Sequence, residues 1–323
     1  MINKDAIFIF TKDRPETLEK TLDSIQHTPY VKYIVDDSVL TQNQRRVSNL
    51  SNSYLYCNYL GKAEFNSFIN QYQIGFPKFA FLLREVGCSE WNLGYARNFA
   101  LLYSKSLGLE NVLFTDDDIQ VPNPKLIEEL FQSINNHQFT GANILGLIDD
   151  SVLGHIATDM GVINERMLSG GFMVFKPKKI VHFFLNNYNE DWIWLFLQIK
   201  GKTYLQMGEV LQELVDPLNN YETKAMFQEF GEVALDGVLD LHNEGSYEEL
   251  AQPLFWERIL KERAEYLNVL LSKATKEGKN NYCEIIRYVM LHSRNMDSNK
   301  FKTLFEKYLY DRELFQHLYN SLS

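Results

Sequence analysis

Residues 111–120, NVLFTDDDIQ, constrain the fold more than any other stretch of the chain. Val112, Leu113 and Phe114 make the continuous apolar run of a strand covered on both faces, as in a parallel sheet. Asp116, Asp117 and Asp118 then fall at its carboxyl end, where open α/β sheets place their ligands. Three adjacent carboxylates repel one another unless a cation sits among them, and a hard divalent ion holding a diphosphate is the most economical candidate. Alternation along the strand turns Asp116 and Asp118 toward one ion and Asp117 elsewhere. A lone Asp after a strand is usually a cap or a turn residue. Three in a row before Pro122 and Pro124 favour a metal or phosphate site.

The flanking sequence supports the same class of fold. Residues 6–10 (AIFIF) read as a buried strand, and Thr11 to Pro15 turn it into a helix with Pro15 near the first helical position. A second strand over residues 30–35 ends in Asp36, Asp37 and Ser38, completing a βαβ opening. Between residues 39 and 91 a short strand at 54–56, a helix over 63–72 and an apolar segment at 79–83 are expected. Ala96, Ala100, Tyr103 and Leu107 recur at helical spacing, with Gly108 placed to stop that helix. Pro124 opens another helix to about residue 135. Residues 143–148 and 171–175 read as strands, separated by a loop holding Asp149, Asp150, His155 and Asp159. Gly170 and Gly171 let backbone approach a ligand closely, or make a tight turn. A helix is expected from Pro177 to Leu185, and another begins at Asp191, with Trp192, Leu195, Phe196 and Ile199 on it. Alternating apolar residues over 233–241 suggest a last strand ending at His242. Residues 246–323 have the long amphipathic pattern of a helical extension, packed on the α/β part or on a second subunit as a homodimer. Domain bounds of 1–245 and 246–323 follow.

Charge and cysteine usage exclude several classes. Lys and Arg total 32 against 42 for Asp and Glu, a net charge of -10, which disfavours broad attraction to nucleic acid or anionic lipid. Cys57, Cys88 and Cys283 lack metal-ligand spacing and are odd in number, so neither a zinc site nor a disulfide framework is expected. No apolar run reaches the ~20 residues of a membrane span. These features suit a cytoplasmic protein, with peripheral association to membrane-borne acceptors left open.

Five segments, in order, carry a resemblance: FTKDRPETLEKTLDSI at 10–25, VDDS at 35–38, GYARNFAL at 94–101, VLFTDDD at 112–118 and NEDWIWLF at 189–196. Over residues 6–245 the chain resembles the A-type-fold nucleotide-sugar glycosyltransferases, and the inverting family 2 group in particular. The resemblance implies a Rossmann-like α/β fold with a mixed, mostly parallel sheet. It places Thr11 and Arg14 in the nucleotide pocket, Asp37 against the base, and Arg97, beside Gly94 and Asn98, near the diphosphate. Asp116 and Asp118 match the DxD motif that binds Mn²⁺ or Mg²⁺, with Asp117 toward ribose or sugar. Asp191 matches the general base that takes the proton of an acceptor hydroxyl, with Glu190 orienting it or the acceptor. In some members of this fold a residue placed like His242 supplies a third metal ligand. The QxxRW-like motif of processive synthases does not occur, which argues for transfer of a single sugar.

Each of these residues also has an ordinary role open to it: a surface ion pair for Arg97, a helix cap for Asp191, core packing for Trp192 and a loop position for His242. Two other functions compete. A sugar-phosphate nucleotidyltransferase needs similar acidic ligands, but a glycine-rich loop normally follows its first strand, and FTKDRPET has no glycine. A non-catalytic nucleotide-binding module, with the C-terminal helices as partner surface, is the other.

Overall fold

The computed structural model describes residues 4–72, 93–146, 151–162, 167–199, 204–213, 216–242 and 245–322. The apolar segment expected at 79–83, Cys88, Asp149 and Asp150 lie outside them. Eight strands form one mixed sheet: β1 (Asp5–Thr11), β2 (Val31–Asp36), β3 (Cys57–Leu60), β4 (Asn111–Asp116), β5 (Ile119–Gln120), β6 (Phe139–Leu145), β7 (Phe172–Phe175) and β8 (Leu205–Gln212). Their order is β3-β2-β1-β4-β7-β6-β8-β5. β1 runs parallel to β2 and β4, in a register that sets Thr11 beside Asp36 and Phe10 beside Asp116. The carboxyl ends of the three central parallel strands therefore open on the same edge.

Helices cover both faces. α1 (Pro15–Ile25) starts at Pro15, whose fixed φ suits the first turn, and buries Leu18, Leu22 and Ile25. With α5 (Lys125–Ser133) it closes one core over Ile7, Ile9 and Leu113. On the other face α4 (Leu93–Ser106) and α7 (Glu190–Ile199) cover Phe8, Phe114 and Phe175, with Trp194 stacked 4.3 Å from Phe184. α2 (Thr41–Ser53), α3 (Lys62–Gln71) and α6 (Val152–Asp159) fill the connections. The chain ends in α8 (Tyr221–Asp240), α9 (Pro253–Lys276), α10 (Asn280–Ser293) and α11 (Ser298–Ser321). Trp256 of α9, fully buried, stacks on Phe301 and Phe305 of α11 and belongs to the same apolar cluster as Phe114 and Phe139 of the sheet. No helix of the described residues is long and apolar enough to cross a membrane.

Several expectations need correction. Residues 233–241 are not a strand but the second half of α8. Val233, Leu235, Leu239 and Leu241 alternate like a strand, yet the residues buried are Val233, Ala234, Leu235, Gly237, Val238 and Leu241, with Leu239 only half-buried, as a helix packed on a broad face requires. From Pro177 only a short 3-10 turn forms (Pro177–Lys179), and the backbone then runs extended. The strand expected at 54–56 lies at Cys57–Leu60, and the loop expected around His155 is α6. α2 and β8 were not foreseen. α2 is polar, with Val47 as its one buried apolar side chain, and β8 is half-buried or exposed, with Val210 alone fully buried.

Candidate active site

A cleft of about 1190 Å³ opens along the carboxyl ends of β1, β2 and β4, walled by α4, the start of α7, α8 and α9. Thr11, Arg14, Asp37, Arg97, Asp116, Asp118, Gly171, Glu190 and Asp191 all line it. Residues more than 150 positions apart are thus brought together by the topology.

At its centre is Arg97. Only 2% exposed, its guanidinium lies between Asp116 of β4 and Glu190 of α7, with Nη2 donating to Asp116 Oδ1 at 3.1 Å and Nη1 to Glu190 Oε1 at 2.8 Å. The rings of Phe10 and Phe184 flank it at 5.6 and 5.7 Å. Burial works against its charge, but Asp116, Glu190 and Asp191 more than offset that and hold it protonated. Its Nε has no partner in the protein. This is a buried cation, not the surface ion pair that the sequence also allowed.

The acidic triplet divides as the strand's alternation requires. Asp116 and Asp118 line the cleft, whereas Asp117 is fully buried behind them. Asp117 accepts from Thr11 Oγ1 at 2.6 Å and is paired with Arg14. The expectation that it points to ribose or sugar is therefore corrected: it anchors Thr11 and Arg14 from beneath. Burial pushes its carboxyl up to about 7 in spite of Arg14. Arg14 Nη1 also reaches Asp118 Oδ2 at 3.1 Å. Burial, together with the charges of Asp118 and Asp191, raises the Asp116 carboxyl although Arg97 lowers it. Five carboxyl groups (Asp116, Asp117, Asp118, Glu190, Asp191) thus crowd around two guanidiniums, Arg14 and Arg97, an excess of acidic groups over cations on one wall, and burial raises three of them, Asp116, Asp117 and Glu190.

Asp37, at the end of β2, is 5% exposed and lies 3.4 Å from Lys12 Nζ. Its Oδ1 has no partner. Burial pushes the carboxyl up to about 7 from its ordinary 3.8, with Lys12 partly offsetting it. The folded chain therefore holds a proton that the unfolded chain has lost between those values, so the stabilisation present below about pH 4 is lost as pH rises to about 7. Asp37→Asn, which cannot ionise, is expected to be more stable than the parent at pH 8, with the advantage shrinking toward pH 5. At about 1.4 kcal/mol per pKa unit the swing is on the order of 2–3 kcal/mol. Urea midpoints at the two pH values measure it, and a difference independent of pH would sink the assignment.

Asp191 stands in the first turn of α7, where the backbone N–H groups favour a carboxylate. Its Oδ2 accepts from Gly170 N at 2.8 Å. A Cβ on Gly170 would fall 2.5 Å from Asp191 Cβ and 3.0 Å from Arg97 Nη1, and one on Gly171 3.1 Å from Asp116 Oδ2. At Gly170 a Cβ would clash, so glycine is required there for close approach, whereas at Gly171 a Cβ would be tight against Asp116; Gly170 also serves as a donor to Asp191. Burial raises Glu190 to about 8, against the pull of Arg97. Before α7 comes Asn189 in the left-handed region (φ 61), a conformation Asn tolerates, with Nδ2 donating to Glu232 Oε1 of α8 at 3.2 Å. A Cβ on Gly231 of α8 would sit 2.3 Å from Tyr188 O. Helix and loop are thus in backbone contact.

Besides Asp117 and Gly170, which sit behind the lining residues, two more expected residues are not in the cleft. Asn98 turns away from it: its amide donates to Phe184 O at 2.8 Å and accepts from Phe184 N at 2.7 Å, clamping the extended segment beneath Arg97. His242 follows a helix, not a strand, and packs edge-on against Phe196 at 5.0 Å. The topological reason for counting it as a metal ligand is gone. No cluster of three or more His, Cys, Asp or Glu suited to a metal occurs among the described residues. Sequence reasoning missed Asn187, Glu232, Asp236 and Arg263 of the cleft wall, since α8 was misread and nothing local marks a loop asparagine.

No family model matches the chain, and no curated protein sequence does. Among solved structures, the mannosyltransferase PcManGT from Pyrobaculum calidifontis, in complex with GDP-Man and Mn²⁺, superposes with a TM-score of 0.54 at 11% identity, over 88% of this chain and 84% of that one. Mouse xyloside xylosyltransferase 1 (TM-score 0.33, 12% identity, 54% of this chain and 68% of that one) and the galactosyltransferase LgtC (TM-score 0.30, 14% identity, 54% and 58%) match less closely. Of these three, the first superposes well enough to establish a common fold. The chain adopts the A-type glycosyltransferase architecture, an α/β fold on a mixed sheet, with a C-terminal helical extension.

Proposed function

We propose that the protein is a metal-dependent glycosyltransferase that moves a single sugar from a nucleoside-diphosphate sugar to a hydroxyl acceptor, inverting the anomeric configuration. The observation that carries this reading is the meeting of Asp116, Asp118, Arg97 and Asp191 in one cleft at the sheet's carboxyl edge. Asp37, with a buried oxygen still to be satisfied, suits an N–H of the base, and Thr11 and Arg14 the nucleotide. Residues 1–245 hold the donor on this reading, and residues 246–323 are the extension that closes the far side of the cleft.

Asp191 acts as general base. It takes the proton of the acceptor hydroxyl as that oxygen bonds to the anomeric carbon and the carbon's bond to the diphosphate oxygen breaks. Gly170 N–H fixes the carboxylate by one oxygen. Arg97, held rigidly between Asp116 and Glu190, faces the departing nucleoside diphosphate with a preorganised positive charge.

Two carboxylates suit Mg²⁺ or Mn²⁺, ions usually held by one or two carboxylates together with substrate phosphates and water. The excess of acidic groups around Asp116 and Asp118 is the kind of environment a divalent cation relieves. When bound, the ion would neutralise charge developing on the leaving diphosphate. A likeness in fold to a protein in complex with GDP-Man and Mn²⁺ supports this donor and metal class.

The test is a thermal-shift panel of UDP, GDP, CDP and dTDP, each with and without Mn²⁺. One nucleotide should stabilise the chain only with the metal, by about 2.7 kcal/mol at a hundredfold excess over Kd. Asp116→Ala and Asp118→Ala should each abolish that shift while the unliganded protein stays folded. Undiminished binding in both would refute the metal assignment.

A further inference from the structure

The same cleft is also lined by residues of α8, α9 and the loop before α7, and this part of it is treated as a second compartment. Its helical wall carries Glu232, Asp236, Asp240 and Glu262 against the cations Arg263 and Lys224. Arg263 is itself spent: 9% exposed, it donates to both oxygens of Glu229 at 2.9 and 2.7 Å and reaches Asp236 at 3.4 Å. Asp240 and Glu262 in turn share Arg258, at 2.6 and 3.1 Å, so five acidic side chains (Glu229, Glu232, Asp236, Asp240 and Glu262) meet three cations (Arg258, Arg263 and Lys224) and the formal balance on this wall is negative.

Acidity alone names no ligand, but the loop before α7 and the start of α7 add a second observation. Asn187 is 4% exposed and lines the cleft, and neither its Nδ2 nor its Oδ1 has a partner in the protein. The indole Nε1 of Trp192, also on the wall, is buried and unpaired too. Buried polar groups are almost always hydrogen-bonded, and leaving one unmade costs more than making it gains. Three unmet groups, two donors and one acceptor, thus belong to residues that line the cleft, Trp192 being next to Asp191 in sequence.

We infer that this compartment is the acceptor subsite, and that it takes a neutral polyhydroxyl saccharide and rejects a phosphorylated one. This rests on the glycosyltransferase reading above. Sugar hydroxyls both donate and accept, so they can satisfy the Asn187 amide and donate to carboxylates at once. A phosphate has only acceptor oxygens in its ionised form and meets like charge along α8 and α9.

The experiment uses the full-length chain with Mn²⁺ and whichever nucleotide sugar the donor panel selects. Methyl glucoside, galactoside and mannoside are each compared with the matching 6-phosphate. The neutral member of a pair is expected to be used at least tenfold better in kcat/KM. In Asn187→Ala the acceptor KM should rise tenfold or more, with donor KM and melting temperature unchanged. Asp240→Asn combined with Glu262→Gln, both on the exposed side of the wall, should shrink the discrimination between neutral and phosphorylated acceptors at least fivefold. Equal or better use of the phosphates overturns the inference, as does an Asn187→Ala variant with unaltered acceptor KM. Use of neither class, while donor still binds with metal, overturns it as well. Failure to bind any donor would instead strike the underlying reading.

Discussion

Arg97→Met is expected to destabilise the protein by about 3–5 kcal/mol and to abolish donor binding. The substitution keeps most of the side-chain volume between Phe10 and Phe184 but leaves Asp116 and Glu190 facing each other without their shared cation. Removing one partner of a buried ion pair costs this much because the remaining charge stays desolvated. Burial already holds the Glu190 carboxyl up at about 8 with the arginine in place. Arg97→Lys is expected to recover little, since one ammonium cannot reproduce the fork that reaches two carboxylates in different directions. Urea unfolding and nucleotide titration measure the two effects. A variant with parental stability would mean that the pairing contributes nothing.

For Asp191→Asn the fold and the donor should both survive while transfer falls 10²- to 10⁴-fold, the usual contribution of a general base. The amide oxygen can still accept from Gly170 N–H, so the loop and α7 keep their positions. What the amide cannot do is take a proton. Donor Kd within twofold of the parent, together with a collapsed kcat, is the expected pair of results. A variant that turns over normally would remove Asp191 from the reaction.

The elements read correctly from sequence were those whose neighbours are local or whose burial is complete. β1, β2 and β4 announce themselves because a strand covered on both faces has no polar position to interrupt it. The Asp triplet was legible for the same reason, since three charges directly after such a run have few structural uses. Asp117 was misassigned because alternation says which way a side chain turns but not what lies there; Thr11 and Arg14, more than 100 residues earlier, occupy that space. α8 was misread because VALDGVLDL satisfies a period of two and a period of 3.6 equally well, and only the packing of Trp256 against Gly237 decides between them. Asn98 matched its motif in type and spacing, yet its side chain is committed to Phe184, which no spacing rule could reveal.

The close passage of Gly231 beneath Tyr188 has a practical corollary for anyone redesigning specificity. Because α8 touches the backbone of the loop that leads into Asp191, and is gripped from the other side by Arg263, the proton-accepting carboxylate is set in place partly by residues that follow it by 40 to 72 positions. Chimaeras that graft foreign helices onto the first 245 residues would keep Gly231 but lose the grip of Arg263 on α8, and so loosen the base before they acquired a new acceptor. Altering side chains along the native helices, with their backbone left untouched, is the more promising route to a different product.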